Sequence, residues 1–227
     1  TVPGKNILFG AANIISSIEY VNQKHLNAVL ISFDFFKAYD RVFVPFLCQV
    51  MRAMGFGDKF ISWVAMCHAD ITTKFLLNRM TDAAKLKFSI RQGDPWSMVL
   101  YVLYIEPLLL RLRKELHGLK MATITQVDED FCDDINVITE DEYDMIRADN
   151  IITEYEAVSG AILNRSHKSK AMGLGGWIGR SDWLLPWIKT EESLRIFGII
   201  IMPFYNDTVT ANWEHLLKKL NDCLISW

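Results

Sequence analysis

Little in this sequence points to a membrane, a secretory route or a metal staple. Its four cysteines, Cys48, Cys67, Cys132 and Cys223, show neither close pairing nor metal-ligand spacing. That excludes a disulfide framework and a structural zinc, and predicts reduced thiols in an intracellular protein, nuclear or cytoplasmic. The most apolar run, MVLYVLYIEPLLL, is too short for a bilayer and is broken by Glu106 and Pro107, so no membrane partner is expected. An excess of positive charge is also missing: 24 Lys and Arg face 27 Asp and Glu, for a net charge of −3. Any nucleic-acid surface must therefore be local. There are no repeats, low-complexity tracts or obvious linkers. The chain starts at Thr1 without a signal-peptide pattern and stops within a helical pattern, as expected for part of a longer polyprotein. What is present is apolar. A hydrophobic fraction of 51% over 227 residues can fill a sizeable core and argues against disorder.

Ile14, Ile15, Ile18 and Val21 recur at helical spacing between Ala11 and about His25, and Ala28–Phe33 is a continuous apolar run of strand length. Pro45 suits a first helical turn and Gly55 a stop; Asp58 is a plausible cap for a second helix, Lys59–Ala69. TKFLLN and AKLKFS read as a hairpin, and a longer helix runs from about Ser97 to Leu116 before Gly118. Thr139 with Glu142 has the spacing of a capping box for a helix to about Val158, and Asn212–Ser226 is an amphipathic helix. The pattern predicts one α+β domain, an antiparallel sheet with helices packed on one face.

Chemistry concentrates in FCDDINVIT, where Asp133 and Asp134 stand side by side between two short apolar runs. An Asp-Asp pair alone is weak evidence. At the tip of a tight hairpin, however, two like charges are tolerable when a divalent cation neutralises them. A two-metal site draws carboxylates from at least two places, because the ions sit about 4 Å apart and each takes several oxygen ligands. Asp34, at the carboxyl end of the run AVLISF, is the best second source. Asp40 and Asp128–Asp130 are rivals, read as solvated because no strand holds them.

The segments ISFDFFKAYDRV, RQGDPWSMVLYVLYIEPLL, FCDDINVIT, SGAILNRSHKSKAMGLG and LRIFGIII, in that order, resemble motifs A to E of reverse transcriptases of the non-LTR, LINE-type retrotransposons. The match covers nearly the whole chain. It implies a polymerase palm, an antiparallel sheet flanked by helices, with partial fingers and the start of a thumb. The expected division is residues 1–30 and 56–90 fingers-like, 31–55 and 91–205 palm, and 206–227 thumb. It implies an RNA-directed DNA polymerase working on an RNA template, a DNA primer and deoxynucleoside triphosphates with two Mg²⁺ or Mn²⁺ ions. A catalytically silent relic, or a domesticated RNA- or protein-binding domain, is the alternative.

By this resemblance Asp34, Asp133 and Asp134 are the catalytic, metal-holding triad. Tyr39 lies under the sugar of the incoming nucleotide and excludes a 2′-hydroxyl. Phe35 and Phe36 are core side chains whose backbone N–H groups can meet the triphosphate. Gln92 and Gly93 approach the nascent base pair, with Arg91 and Pro95 beside primer and template. Trp96 departs from the Leu or Ile usual in the family. Lys168 resembles the cation near the triphosphate, with His167 and Lys170 as alternatives within a few residues. Lys5 stands where an Arg is usual and keeps the charge without the bidentate fork. Phe197 and Gly198 resemble the turn that meets the primer. Acidic residues gather near the carboxylate pair, while Arg111, Arg113, Lys114, Lys168, Lys170, Lys218 and Lys219 lie apart, a sorting that permits a nucleic-acid groove.

Overall fold

The computed structural model describes residues 6–69, 72–73, 80, 84–85, 90, 93–122, 124–131, 134–165 and 168–225. In chain order the elements are α1 (Ile7–Lys24), β1 (Asn27–Phe33), a 3-10 turn (Ala38–Arg41), α2 (Val44–Ala53), α3 (Asp58–Cys67), β2 (Thr72–Thr73), β3 (Ala84–Lys85), α4 (Ser97–Glu115), β4 (Leu119–Met121), β5 (Ile124–Gln126), β6 (Asp128–Phe131), β7 (Asp134–Thr139), α5 (Tyr143–Ser159), β8 (Lys170–Gly175), β9 (Lys189–Thr190), β10 (Leu194–Ile196), β11 (Ile199–Ile201) and α6 (Tyr205–Ile225). They divide into two compact units, Thr1–Asp34 with Leu112–Asp149 and Asn164–Trp227, and Phe35–Arg111 with Asn150–Leu163.

The first unit is built on a five-stranded sheet in the order β6-β7-β1-β8-β9. β1 lies at its centre, antiparallel to both β7 and β8. Its run Ala28–Ile31 is buried throughout, as an apolar stretch without alternation requires: residues of both sheet faces are covered. On one face Ile14, Ile18 and Val21 of α1 meet Ala28, Leu30, Ile138, Met172 and Leu174, joined by Leu194, Ile196 and Ile201 of the β10–β11 hairpin. The sheet departs from a wholly antiparallel one at its edge, where β9 pairs parallel to β8. The intervening residues 176–188 supply the crossover that parallel pairing needs.

The second unit centres on aromatic packing. Tyr104 meets Phe46, Tyr101 and Tyr155 at ring-centroid distances of 5.8, 5.6 and 5.6 Å. The buried hydroxyls are used: Tyr104 donates to the Ser159 carbonyl at 3.1 Å, and Tyr155 donates to the Tyr104 carbonyl at 2.7 Å. Burial pushes both phenols above their ordinary range.

Several helix ends differ from the sequence expectation. α1 begins at Ile7 rather than Ala11, because the Asn6 side chain accepts the Leu8 N–H and caps it there. Gly57, not Asp58, is the cap of α3. The capping box at Thr139 does not form: Thr139 ends β7, its hydroxyl is engaged by Asp141 and Asp144, and α5 starts at Tyr143. α6 starts at Tyr205 rather than Asn212, whose amide instead grips both the N–H and the carbonyl of Ile200 on β11. Of the expected hairpin TKFLLN–AKLKFS, the pairs Thr72–Lys85 and Thr73–Ala84 are described and are antiparallel; the rest lies outside the described residues.

Candidate functional site

Asp34 and Asp134 leave and enter paired strands at the same end of the sheet. In the β1·β7 ladder the last pair at this end is Phe33 opposite Ile135, so Asp34 directly follows that pair on one strand and Asp134 directly precedes it on the other. Phe131 of β6 pairs with Asp134, leaving two residues, Cys132 and Asp133, between the strands. Asp133 lies outside the described residues, as do Lys5, Arg91, Gln92 and His167. Asp34 is half-buried and Asp134 exposed.

Asp34 is held at three points by the segment that follows α5. Asn164 donates its backbone N–H to the Asp34 carbonyl at 2.8 Å and its side-chain Nδ2 to Asp34 Oδ2 at 3.2 Å. The Asp34 N–H donates to Ser169 Oγ at 3.2 Å, and the Ser169 N–H closes the loop onto the Asn164 carbonyl at 3.2 Å. Lys168, inside that loop, brings Nζ to 3.8 Å from Asp34 Oδ2. Lys170, an alternative for the same role, is instead on β8 and paired with Glu191 at 3.3 Å. Sequence reasoning passed over Asn164 and Ser169, although both stand in LNRSHKSK; the polar groups at the exposed end of β1 needed partners, and that was the signal available.

The remaining predicted positions fall as follows. Phe35 is buried and bridges to Leu163, and Phe36 is exposed. The Phe36 N–H donates to the Ile162 carbonyl at 2.8 Å. Tyr39 sits in the 3-10 turn, half-buried, its ring 4.9 Å from that of Tyr101, with its carbonyl accepting the Ile90 N–H at 3.0 Å. Gly93 has φ +91, with no atom of the described residues within 4 Å of where a Cβ would be, and Pro95 is exposed beside it. Trp96 is 58% exposed, its ring 6.1 Å from Phe60. Phe197 and Gly198, at φ 52 and 81, form the two-residue turn of the β10–β11 hairpin, as a turn with two left-handed residues requires.

Two expectations are corrected. Asp128 is not solvated: it opens β6 and is buried against Arg113, whose Nε lies 3.0 and 3.1 Å from its two oxygens. The basic residues thought to stand apart are partly consumed, since Arg111 pairs with Glu154 at 2.7 Å, Arg113 with Asp128 and Lys170 with Glu191.

Among the described residues one other group has metal-ligand chemistry, His117, Asp141 and Asp144, whose ligand atoms lie within 4.8 Å of one another. A cation is already there. Arg147 Nη1 lies 2.8 Å from Asp141, 2.6 Å from Asp144 and 2.9 Å from His117 Nδ1. Asp144, fully buried, also accepts the N–H groups of His117 and Gly118 and the Thr139 hydroxyl. The Arg147 hydrogen bond holds the Asp141 carboxyl below its usual range. The cluster is a guanidinium-centred junction beyond the far end of β7, about 16 Å along the strand from Asp134.

The chain is 32% identical over 172 residues to an uncharacterised 149 kDa protein of transposon TX1 from Xenopus laevis, covering 74% of this chain and 13% of that protein. It is 27% identical over 197 residues to a retrovirus-related Pol polyprotein of the type-1 retrotransposable element R2 from Popillia japonica, covering 85% of this chain and 32% of the relative. The chain thus spans a third or less of the length of these relatives. In fold it is similar to apo telomerase from Candida tropicalis truncated from its C-terminal domain, with TM-score 0.62 at 17% identity over 88% of this chain and 39% of that one. The complex of that telomerase with a fragment of telomeric RNA gives TM-score 0.60 at the same identity, over 88% of this chain and 32% of that one. The α+β fold is that of a polymerase palm, and with residues 2–201 matching its sequence profile, the chain belongs to the reverse transcriptase (RNA-dependent DNA polymerase) family.

Proposed function

We propose that this chain is the polymerase core of a LINE-type retrotransposon protein and adds deoxynucleotides to a primer 3′-hydroxyl on an RNA template. The observation that carries the reading is the β1·β7 register, which brings Asp34 and Asp134, the neighbour of Asp133, to one end of the sheet. These are hard oxygen donors of the kind Mg²⁺ and Mn²⁺ prefer, and their anionic charge suits a divalent pair. Asp34, Asp133 and Asp134 are the residues that would hold the ions. When bound, two such ions lower the pKa of the attacking hydroxyl and neutralise charge on the triphosphate.

The side chains of this protein do the rest. Asp34 is kept in place by Asn164 and Ser169, so its carboxylate is presented in a fixed orientation. Lys168, a flexible exposed ammonium beside Asp34, supplies positive charge for the triphosphate or a proton for the leaving pyrophosphate. Tyr39, its ring tilted against Tyr101 and its carbonyl anchored, offers a rigid ring against the nucleotide sugar by the motif resemblance. By the motif resemblance, Gly93 approaches the base pair and the left-handed Phe197-Gly198 turn meets the primer backbone. Lys5, Arg91, Gln92 and Pro95 complete the substrate contacts on the strength of the motif resemblance.

The test is single-nucleotide addition to a labelled DNA primer annealed to RNA, at high protein concentration with Mg²⁺ or Mn²⁺. Addition that depends on template sequence and disappears in Asp34→Ala and Asp133→Ala supports the reading. Addition that survives Asp34→Ala overturns the site.

A further inference from the structure

We propose that Asn164 is a positioning residue for Asp34: its side-chain amide orients the carboxylate for cation binding without adding charge. The proposal rests on the reading of Asp34 as a metal ligand.

The argument starts from what an aspartate at a strand end lacks. Beyond Phe33 the β1·β7 ladder stops, and a short side chain with two rotatable bonds at a half-exposed position has nothing in its own strand to fix it. Here both backbone groups of Asp34 and one carboxylate oxygen are engaged by residues more than a hundred positions later. Asn164 supplies two of those three bonds, through its backbone N–H and through Nδ2. Its own carbonyl accepts from Ser169, whose buried hydroxyl takes the Asp34 N–H. Asp34, Asn164 and Ser169 therefore form a closed ring of hydrogen bonds in which only one member, the Asn164 amide to the carboxylate, concerns the ligand atoms.

The choice of amide matters. An Arg or Lys in this place would orient the carboxylate but also neutralise it, competing with any incoming cation; an Asp would repel it. A neutral donor fixes direction and leaves the full negative charge. Lys168, the charged neighbour, is longer, more exposed and farther away at 3.8 Å, so it fixes little. Partners that hold a ligand in this way are typically worth about 10- to 100-fold in metal affinity.

The structure also separates this role from a merely structural one. The two backbone bonds of Asn164 survive any non-proline substitution, and only the Nδ2 bond is lost. Asn212 is a built-in control. Its amide grips Ile200 on β11 through two bonds of the structural kind.

The experiment measures Mn²⁺ binding to the full chain by electron paramagnetic resonance, with thermal unfolding alongside, for wild type, Asp34→Ala, Asn164→Leu, Asn164→Ala and Asn212→Ala. Asn164→Leu is expected to weaken Mn²⁺ binding about 10-fold with little change in Tm, and to add nothing in the Asp34→Ala background. Asn212→Ala should lower Tm and leave Mn²⁺ affinity unchanged. Should Leu destabilise this half-exposed position, Asn164→Ala carries the same comparison without demanding apolar volume. If Asp34→Ala abolishes binding while both Asn164 variants bind as wild type, the positioning role is overturned and the metal site stands. If Asp34→Ala binds Mn²⁺ like wild type, the metal reading fails and takes this inference with it.

Discussion

The ammonium of Lys168 lies 3.8 Å from Oδ2 of Asp34, on the same oxygen that Asn164 holds, with two-thirds of the lysine side chain exposed. One oxygen thus faces a fixed neutral donor and a loose cation. Because an exposed pair is worth little, a divalent ion can displace the lysine, but the lysine still competes. Replacing Lys168 by Met is expected to tighten Mn²⁺ binding by about 1.5- to 5-fold, the range an exposed ion pair spans. Nucleotide addition should slow at the same time, since the triphosphate loses a cation. Weaker Mn²⁺ binding in the variant would contradict this account.

Tyr39 is held by its neighbours rather than by the sheet, its ring tilted 31° on Tyr101 and its carbonyl bonded to Ile90. A smaller side chain at that position opens space without touching a carboxylate. Tyr39→Val is expected to admit ribonucleotides, raising their incorporation relative to deoxynucleotides by at least about 10-fold, the range for steric discrimination in a pocket. The check is the ratio of kcat/KM for a matched ribo- and deoxynucleoside triphosphate; an unchanged ratio would remove the gate assignment.

Arg147 is the centre of a junction that ties the start of α5 to His117, Asp141 and the buried Asp144. Replacing it by Met leaves a fully buried carboxylate without its cation, and Tm should fall by at least about 3 °C. The pH dependence has a definite sign. Asp141 is held below its unfolded value of 3.8, mainly by the Arg147 hydrogen bond, so its contribution is present above that pH and is lost as pH falls through the depressed folded value. The gap in Tm between wild type and Arg147→Met should therefore be full near pH 7 and narrow below about pH 4. A gap that widens in acid would contradict the assignment.

What was legible in the sequence were the parts fixed by local pattern. The apolar run Ala28–Phe33 is the central strand, and FCDDINVIT lies across a strand pair, because continuous burial and a short polar interruption leave their mark residue by residue. Asp34 could be placed at a strand end for the same reason. The Asn164 clamp could not, since it joins residues 130 positions apart and depends on where the chain returns after α5. Asp128 reads as solvated in the sequence because its burial comes from Arg113, a partner on another element. The start of α5 lies later than the sequence pattern predicts because the Thr139 hydroxyl bonds Asp144 instead of a helix amide, a choice set by the buried junction around Arg147. Tertiary partners, not propensity, decided each of these positions.

Charge pairing within the chain also sets an expectation for nucleic-acid binding. Net charge is −3, and Arg111, Arg113 and Lys170, which a count of the sequence assigns to a basic surface, each face a carboxylate within 3.3 Å. Fewer cations are left to displace counterions from a phosphate backbone, so binding of a primer–template by residues 1–227 should be weak and salt-limited. The slope of log affinity against log salt is about 0.7 to 0.9 per phosphate contacted, which for a handful of contacts predicts a magnitude below about 4. A fluorescence-anisotropy titration between low and physiological salt measures it. A version of the chain extended toward the length of its relatives should bind more tightly with a steeper slope and make longer products. Tight binding by residues 1–227 near physiological salt, or a slope reporting many phosphates, would mean that a basic surface exists that these internal ion pairs do not consume.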